Sequence, residues 1–276
     1  MSIKIVTDST ITIEPGLVEE LDITVVPLTI LIDGVLYKDT DLDSEEFIEK
    51  MQSSKNLPKT SQPPVGVFAE VYDDLGADGS QVISIHLTKI LSGTVEAARQ
   101  ASNLTNTDVT VIDSEFIDQA LKYQVVEAAR LAKDGATKEE ILASIENVKN
   151  NTELFIGVAT LENLVKGGRI GRATGMVGNL LNFKIILQLT SEELAQVVKG
   201  RGNKTFTKWV DEYEKSLEGR NVKEISISHA GYPPIADYAK EKLQPYVEKE
   251  IISLPTNSTI ATHAGMGAFA VMTEFE

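Results

Sequence analysis

Short apolar runs rich in Val and Ile alternate with amphipathic segments through about residue 150, and this alternation restricts the fold more than any other feature. Segments 3–6, 23–32, 82–85 and 109–112 read as strands. Segments 15–21, 44–51, 65–75, 95–101, 118–133 and 138–149 read as helices, with Phe68, Val71, Tyr72 and Leu75 on one face of the third. Asp43 with Glu46, and Thr137 with Glu140, have the spacing of capping boxes. Strands separated by helices predict a parallel, doubly wound sheet covered on both faces. Asp33-Gly34 predicts a hairpin turn into Val35, and 59–64 reads as a rigid polar loop.

The pattern changes beyond residue 152. Segments 184–189 and 194–199 read as a hairpin around Ser191-Glu192, followed by a helix to Leu217, a strand at 224–229, a helix at 234–249, a strand at 251–254 and an apolar final strand. The expected architecture is therefore two α/β domains, residues 1–152 with the parallel sheet and 153–276 with a mixed sheet and helices.

The 276 residues include no cysteine. That removes disulfides, thiolate metal sites and Cys nucleophiles, and suits a reducing cytoplasm. No signal peptide or membrane-spanning run is expected. A net charge of -15 disfavours nucleic-acid and anionic-lipid partners. Against it stands a basic cluster, Arg169, Arg172, Lys184, Lys199, Arg201, Lys204 and Lys208, which reads as a solvated face or as a docking surface for an acidic or phosphate-bearing partner.

Several predicted strands end in hydroxyl or acidic residues: Thr7-Asp8-Ser9, Ser92 and Asp113-Ser114. Ligands of open parallel sheets bind outside the carboxyl ends of strands, so these groups could share an edge. Ser92-Gly93-Thr94 lies where a strand gives way to a helix. The free N–H groups and helix dipole there favour an anion, although a hydroxyl at that place also serves as a helix cap. Gly167-Gly168-Arg169 allows a tight turn that directs a guanidinium either at an anion or at nearby carbonyls. There is no P-loop and no G-x-G-x-x-G. The three histidines lack metal-site spacing; His86 reads as structural, His229 as either structural or functional, and His263 as functional. A Ser92/His263 hydrolase is conceivable, but the nucleophile elbow is missing.

Thr7-Asp8-Ser9-Thr10, Thr60-Ser61-Gln62-Pro63, Leu91-Ser92-Gly93-Thr94, Ile112-Asp113-Ser114, Leu161-Glu162-Asn163-Leu164 before Gly167-Gly168-Arg169-Ile170, His229-Ala230-Gly231 and Thr262-His263-Ala264-Gly265 occur in an order that resembles the DegV family from end to end. The resemblance implies a bacterial, non-enzymatic carrier of one long-chain fatty acid, held between the two domains. It implies no cofactor or metal beyond that ligand. Some members present the acid to an ATP-using fatty acid kinase subunit that makes acyl phosphate for phospholipid metabolism, with at most transient membrane contact. By motif, Thr60, Ser61, Ser92, Gly93, Thr94 and His263 would surround the carboxylate, Arg169 would support it, and Arg201 with Arg172 would face the kinase. A small-polyol kinase subunit of related architecture is the rival enzyme reading. Three departures from the family pattern, Met266, Ile185 and the glycine-poor segment 116–121, are expected to reshape the tail cavity or the head-group loop.

Overall fold

A computed structural model describes residues 2–172 and 183–276. β1 (Ile3–Asp8) is followed by the single turn α1 (Leu17–Glu20) and β2 (Ile23–Val26), which pairs in parallel with β1. The strand expected at 23–32 breaks at Pro27, which has no N–H for a ladder. Its second half is β3 (Thr29–Ile32), which leaves the parallel sheet and pairs antiparallel with β4 (Val35–Lys38). α2 (Ser44–Ser53) starts at Asp43, whose carboxylate accepts from Glu46 N. The expected polar loop is in fact β5 (Lys59–Ser61), which takes the open edge of β3. These three strands form a small separate sheet, in the order β4-β3-β5.

α3 (Val65–Gly76), β6 (Gln81–His86), α4 (Thr94–Ser102) and β7 (Val109–Asp113) complete the parallel sheet, ordered β2-β1-β6-β7. Side chains alternate across it. Ile5, Ile83 and Ile85 face α5 (Asp118–Lys133) and α6 (Lys138–Asn150), whereas Val6 and Val82 face α3 and α4. This is the doubly wound layer that the sequence predicts. The capping box of Thr137 and Glu140 is formed.

β8 (Thr152–Val158), α7 (Glu162–Lys166), β9 (Lys184–Leu189), β10 (Leu194–Gly200), α8 (Lys204–Ser216), β11 (Val222–His229), α9 (Pro234–Leu243), β12 (Ile252–Pro255), α10 (Ser258–Ala264) and β13 (Phe269–Phe275) follow. α9 ends earlier than expected because Pro245 interrupts it, and the chain continues as a 3-10 turn over Gln244–Tyr246. The strands form a mixed sheet, β10-β9-β8-β13-β11-β12, in which only β11 and β12 run parallel. One face packs on α8 and α9 through Phe206, Trp209, Tyr213, Ala239 and Leu243. The other carries Leu154, Val158, Ile185, Leu187, Leu189 and Met272, and packs with Ala120 and Tyr123 of α5. α5 thus touches both large sheets.

Two buried polar clusters join segments far apart in sequence. Asp8 accepts from Thr10 N and Thr10 Oγ1 on one oxygen, and from Leu87 N (2.9 Å) with His86 Nδ1 (3.0 Å) on the other. The Asp8 carboxylate is therefore taken up by structural bonds, and His86 is structural. Asp39 Oδ2 accepts from Ser9 Oγ (2.8 Å) and Thr259 Oγ1 (2.7 Å), while Ser258 Oγ donates to its carbonyl. Asn257, the N-cap of α10, donates to the Ser9 carbonyl. Asp39 and Ser9 so fix the start of α10 against the first half of the chain.

Burial pushes the Asp39 carboxyl up to about 6, against the downward pull of the Ser9 and Thr259 hydroxyls. A raised folded-state pKa means that the native state holds the proton longer than the unfolded chain. This group's contribution to stability therefore falls as pH rises from about 4 to about 6. Asp39→Asn removes that component. Urea midpoints at pH 4.5 and pH 7 should show the variant gaining stability relative to wild type as pH rises.

Candidate functional site

The mixed sheet, α10 and the loops after β5 and β6 enclose a cavity of about 950 Å³, counted out to its mouth. Its floor follows from strand register. Ser228 on β11 pairs with Ala270, Ala270 with Ile156, and Ile156 with Leu187. All four line the cavity. Adjacent strands lie about 4.8 Å apart, so this row crosses roughly 14 Å of sheet. Period-two alternation adds Leu154 and Val158 to the same face of β8. The lining is predominantly apolar.

Polar groups converge from separate elements. Thr60 comes from β5, Ser92 from the turn before α4, Arg169 from the turn after α7 and His263 from the last turn of α10. His263 Nε2 lies 2.8 Å from Thr60 Oγ1. Its Nδ1 is buried and has no partner among the described residues. An unpaired acceptor is tolerated better than an unpaired N–H, so the pairing assigns the proton to Nε2. His263 then donates to Thr60, and the Thr60 hydroxyl hydrogen is left for a ligand. Burial, with the neighbouring Arg169 charge adding to it, pushes His263 down to about 4. The ring is neutral at physiological pH.

The glycine pair has a steric reason. A Cβ on Gly167 would stand 2.3 Å from His263 Nδ1, and Gly168 has φ 74°. Arg169 Nε donates to the Leu91 carbonyl (3.1 Å) and Nη1 to the Gly167 carbonyl (2.8 Å). The carbonyl reading of this arginine holds, and its half-buried side chain also lines the cavity. Desolvation lowers its pKa. At the α4 junction the N-cap is Gly93, with no side-chain cap. Ser92 Oγ accepts from Thr94 N at 3.3 Å and lies 2.9 Å from Thr94 Oγ1. A Cβ on Gly93 would stand 2.2 Å from Gln62 Oε1, so the glycine admits Gln62 to the lining.

Of the residues expected around the head group, Thr60, Ser92, Arg169 and His263 line one cavity. Ser61, Gly93 and Thr94 do not. Ser61 follows Thr60 on a strand and turns to the opposite, exposed side. Thr94 is fully buried beneath the turn. Arg201 is exposed after β10, with its guanidinium 5.1 Å from the Phe183 ring centroid and Lys199 Nζ 4.4 Å from the same ring. Arg172 ends a 3-10 turn, Ile170–Arg172, and its side chain lies outside the described residues.

Met266 lines a neighbouring groove with Glu45, Glu49 and Tyr232 instead of the cavity, and Ile185 is buried on β9 outside the lining. Among the three departures, only 116–121 reaches the cavity, through Ile117 and Asp118. Sequence reasoning missed Asp118, Ser228, Thr256 and Thr259 as lining residues. Their signal was present for β11: Ser226 and Ser228 are small polar residues on one face of a strand whose other face is Ile225 and Ile227. Among the described residues His263 bonds to Thr60 and to no carboxylate, so no hydrolase triad with Ser92 is assembled there. Among them no group of three His, Asp or Glu could hold a metal, and no helix is long and apolar enough to cross a membrane.

The family model described as "Uncharacterised protein, DegV family" matches residues 2–276. The chain belongs to the DegV family. A DegV domain-containing protein of Lactococcus lactis is 60% identical over 278 residues, covering 100% of both chains. One from Streptococcus pneumoniae is 58% identical over 274 residues, 99% of this chain and 98% of the relative. Among solved structures, DegV of Bacillus subtilis, a fatty acid binding protein, superposes with a TM-score of 0.89 at 30% identity and full coverage of both chains. A DegV family protein from Thermus thermophilus, solved for its fatty acid binding, gives 0.90 at 29%, again with full coverage. The mixed α/β fold of this chain is that of these DegV proteins.

The His263 pKa predicts a pH signature with known sign. Its folded value lies below its unfolded one, so the unfolded chain binds more protons between about 6.5 and about 4. Stability present above pH 6.5 is lost as pH falls through that window. His263→Gln should lose less stability than wild type between pH 7 and pH 4.5, as read from urea midpoints at the two pH values.

Proposed function

We propose that this DegV protein binds one long-chain fatty acid between its two α/β units, residues 1–152 and 153–276. The carboxylate sits at Thr60, Ser92, His263 and Arg169, and the tail lies in the apolar cavity. The observation that supports this most is the composition of that one cavity: an apolar interior, with hydroxyls, a neutral imidazole and one cation at one part of its wall. The neutral imidazole keeps the Thr60 hydroxyl oriented, and the Arg169 charge supplies the field that a carboxylate needs.

Burial of each CH₂ contributes about 0.8 kcal/mol, so a tail of about 16 gives a gross term near 13 kcal/mol before association costs. The head-group donors add less and set the orientation. A bound acid so oriented suits a carrier that delivers it to a separate ATP-using fatty acid kinase subunit for acyl-phosphate formation and phospholipid metabolism. The exposed Arg201, beside Lys199 and Phe183, is the docking residue on this reading, joined by Arg172. The carrier needs no cofactor, works in the cytoplasm and meets membranes only transiently. Its partners are the fatty acid and the kinase, with no nucleic acid.

Two variants separate the parts of the proposal. Ser92→Ala should weaken fatty-acid binding by about 1.5–3 kcal/mol, roughly ten- to hundredfold in Kd, with binding still measurable by fluorescent-acid displacement. Complete loss would contradict the dominance of the tail. Arg201→Glu should leave that Kd unchanged and lower acyl-phosphate formation by the kinase subunit about tenfold. Unchanged turnover would remove Arg201 from the docking surface.

A further inference from the structure

The cavity has a second polar wall, which a plain acyl chain does not use. It lies at the β11 side of the floor, at the opposite end of the strand row from Leu187. Asp118, Ser228, His229 and Thr256 all line the cavity there. Asp118 is 2% exposed, with φ 61°. One of its oxygens accepts from Ser228 Oγ (2.6 Å) and Gln119 N (2.9 Å), the other from Thr256 Oγ1 (2.6 Å). Gln119 Nε2 donates to Ser228 Oγ at 3.1 Å. Ser228 and Thr256 thus spend their hydrogens on Asp118 and keep oxygen lone pairs. Burial raises the Asp118 carboxyl against these donors.

His229 is the unsatisfied member. It is 5% exposed, and its Nδ1 is buried without a partner among the described residues. Tyr232 packs on its ring at 4.4 Å between centroids, and both residues also line the neighbouring groove. A buried polar atom without a partner is costly and requires a reason. A hydrocarbon tail laid beside it supplies none.

We propose that this wall is a second ligand subsite, which recognises a hydroxyl group carried on the acyl chain. The inference rests on the fatty-acid reading above. An alcohol is the function that fits. It donates to His229 Nδ1 if that nitrogen is bare and accepts from it if it is protonated. In the second case its own hydrogen goes to a lone pair of Thr256 or Ser228. A ketone serves only the second tautomer. A second carboxylate is disfavoured beside Asp118. Discrimination is sharp in such a site because a chain without the oxygen leaves a buried group unpaired.

The test uses the purified full chain and a panel of straight-chain acids of one length, each with a single hydroxyl at successive positions, with the unsubstituted and keto acids as references. Competition against one fluorescent fatty acid reads each affinity. At least one hydroxyl position should bind about fivefold or more tighter than the unsubstituted acid, with neighbouring positions weaker. In His229→Leu the ratio of hydroxy to plain affinity should fall to one or below. His229→Phe keeps a ring in the wall and reads the same ratio if the Leu variant does not fold. A wild-type panel without a preferred position overturns the inference while leaving the fatty-acid reading in place, and so does a preference that survives both substitutions. Failure to bind any acid, plain or hydroxylated, overturns both.

Discussion

The placement of α10 is the constraint on which the rest of the site depends. This helix is only seven residues long, too short to be stable by itself. It is held at its start by Asn257 on Ser9, and by Ser258 and Thr259 on Asp39. Those three bonds cross more than two hundred residues of sequence. They decide where His263 stands at the other end, and so whether Thr60 has its partner. The glycine pair after α7 then brings Arg169 close, since any side chain at Gly167 would collide with the imidazole. The polar cluster at the cavity is therefore assembled from elements that reach it independently, with the short helix as its hub.

The cavity has a related origin. A sheet buried on both faces needs apolar side chains on both, and the mixed sheet supplies them on β8, β9 and β13. On one side α8 and α9 fill the space with aromatic rings. On the other, small residues such as Ala268 and Ala270 leave room. The space is closed by α5 and α10 and left apolar, which is the environment that accepts a hydrocarbon chain.

Much of this was legible in the residues. The alternation of short Val- and Ile-rich strands with helices specified a parallel sheet covered on both faces, and that sheet is present, with Ile5 and Ile83 on one face and Val6 and Val82 on the other. The helices read at 118–133 and 138–149 and the hairpin of β9 and β10 were also readable, because helical periodicity, the Thr137/Glu140 cap and the hairpin turn are local. The small sheet of β3, β4 and β5 was not, since Pro27 redirects the chain and the pairing of β5 with β3 is set by tertiary contact. The motif resemblance grouped Thr60, Ser92, Arg169 and His263, which local patterns alone left undecided, and these four line one cavity. It also carried Ser61, whose side chain lies on the other side of its strand, because a motif does not state which way each residue points. Asp118 was out of reach for a simpler reason: a buried polar residue shows its purpose only when its partner, here Ser228, 110 residues away, is known.

The central claim is that the cavity holds one fatty acid per chain. Native mass spectrometry of the purified full-length protein, with organic extraction of what it carries, tests this directly. The account predicts a mass increment of one long-chain acid, recovered in the extract and restored on incubation after delipidation. A protein that carries no fatty acid as purified and takes up none on incubation would contradict it.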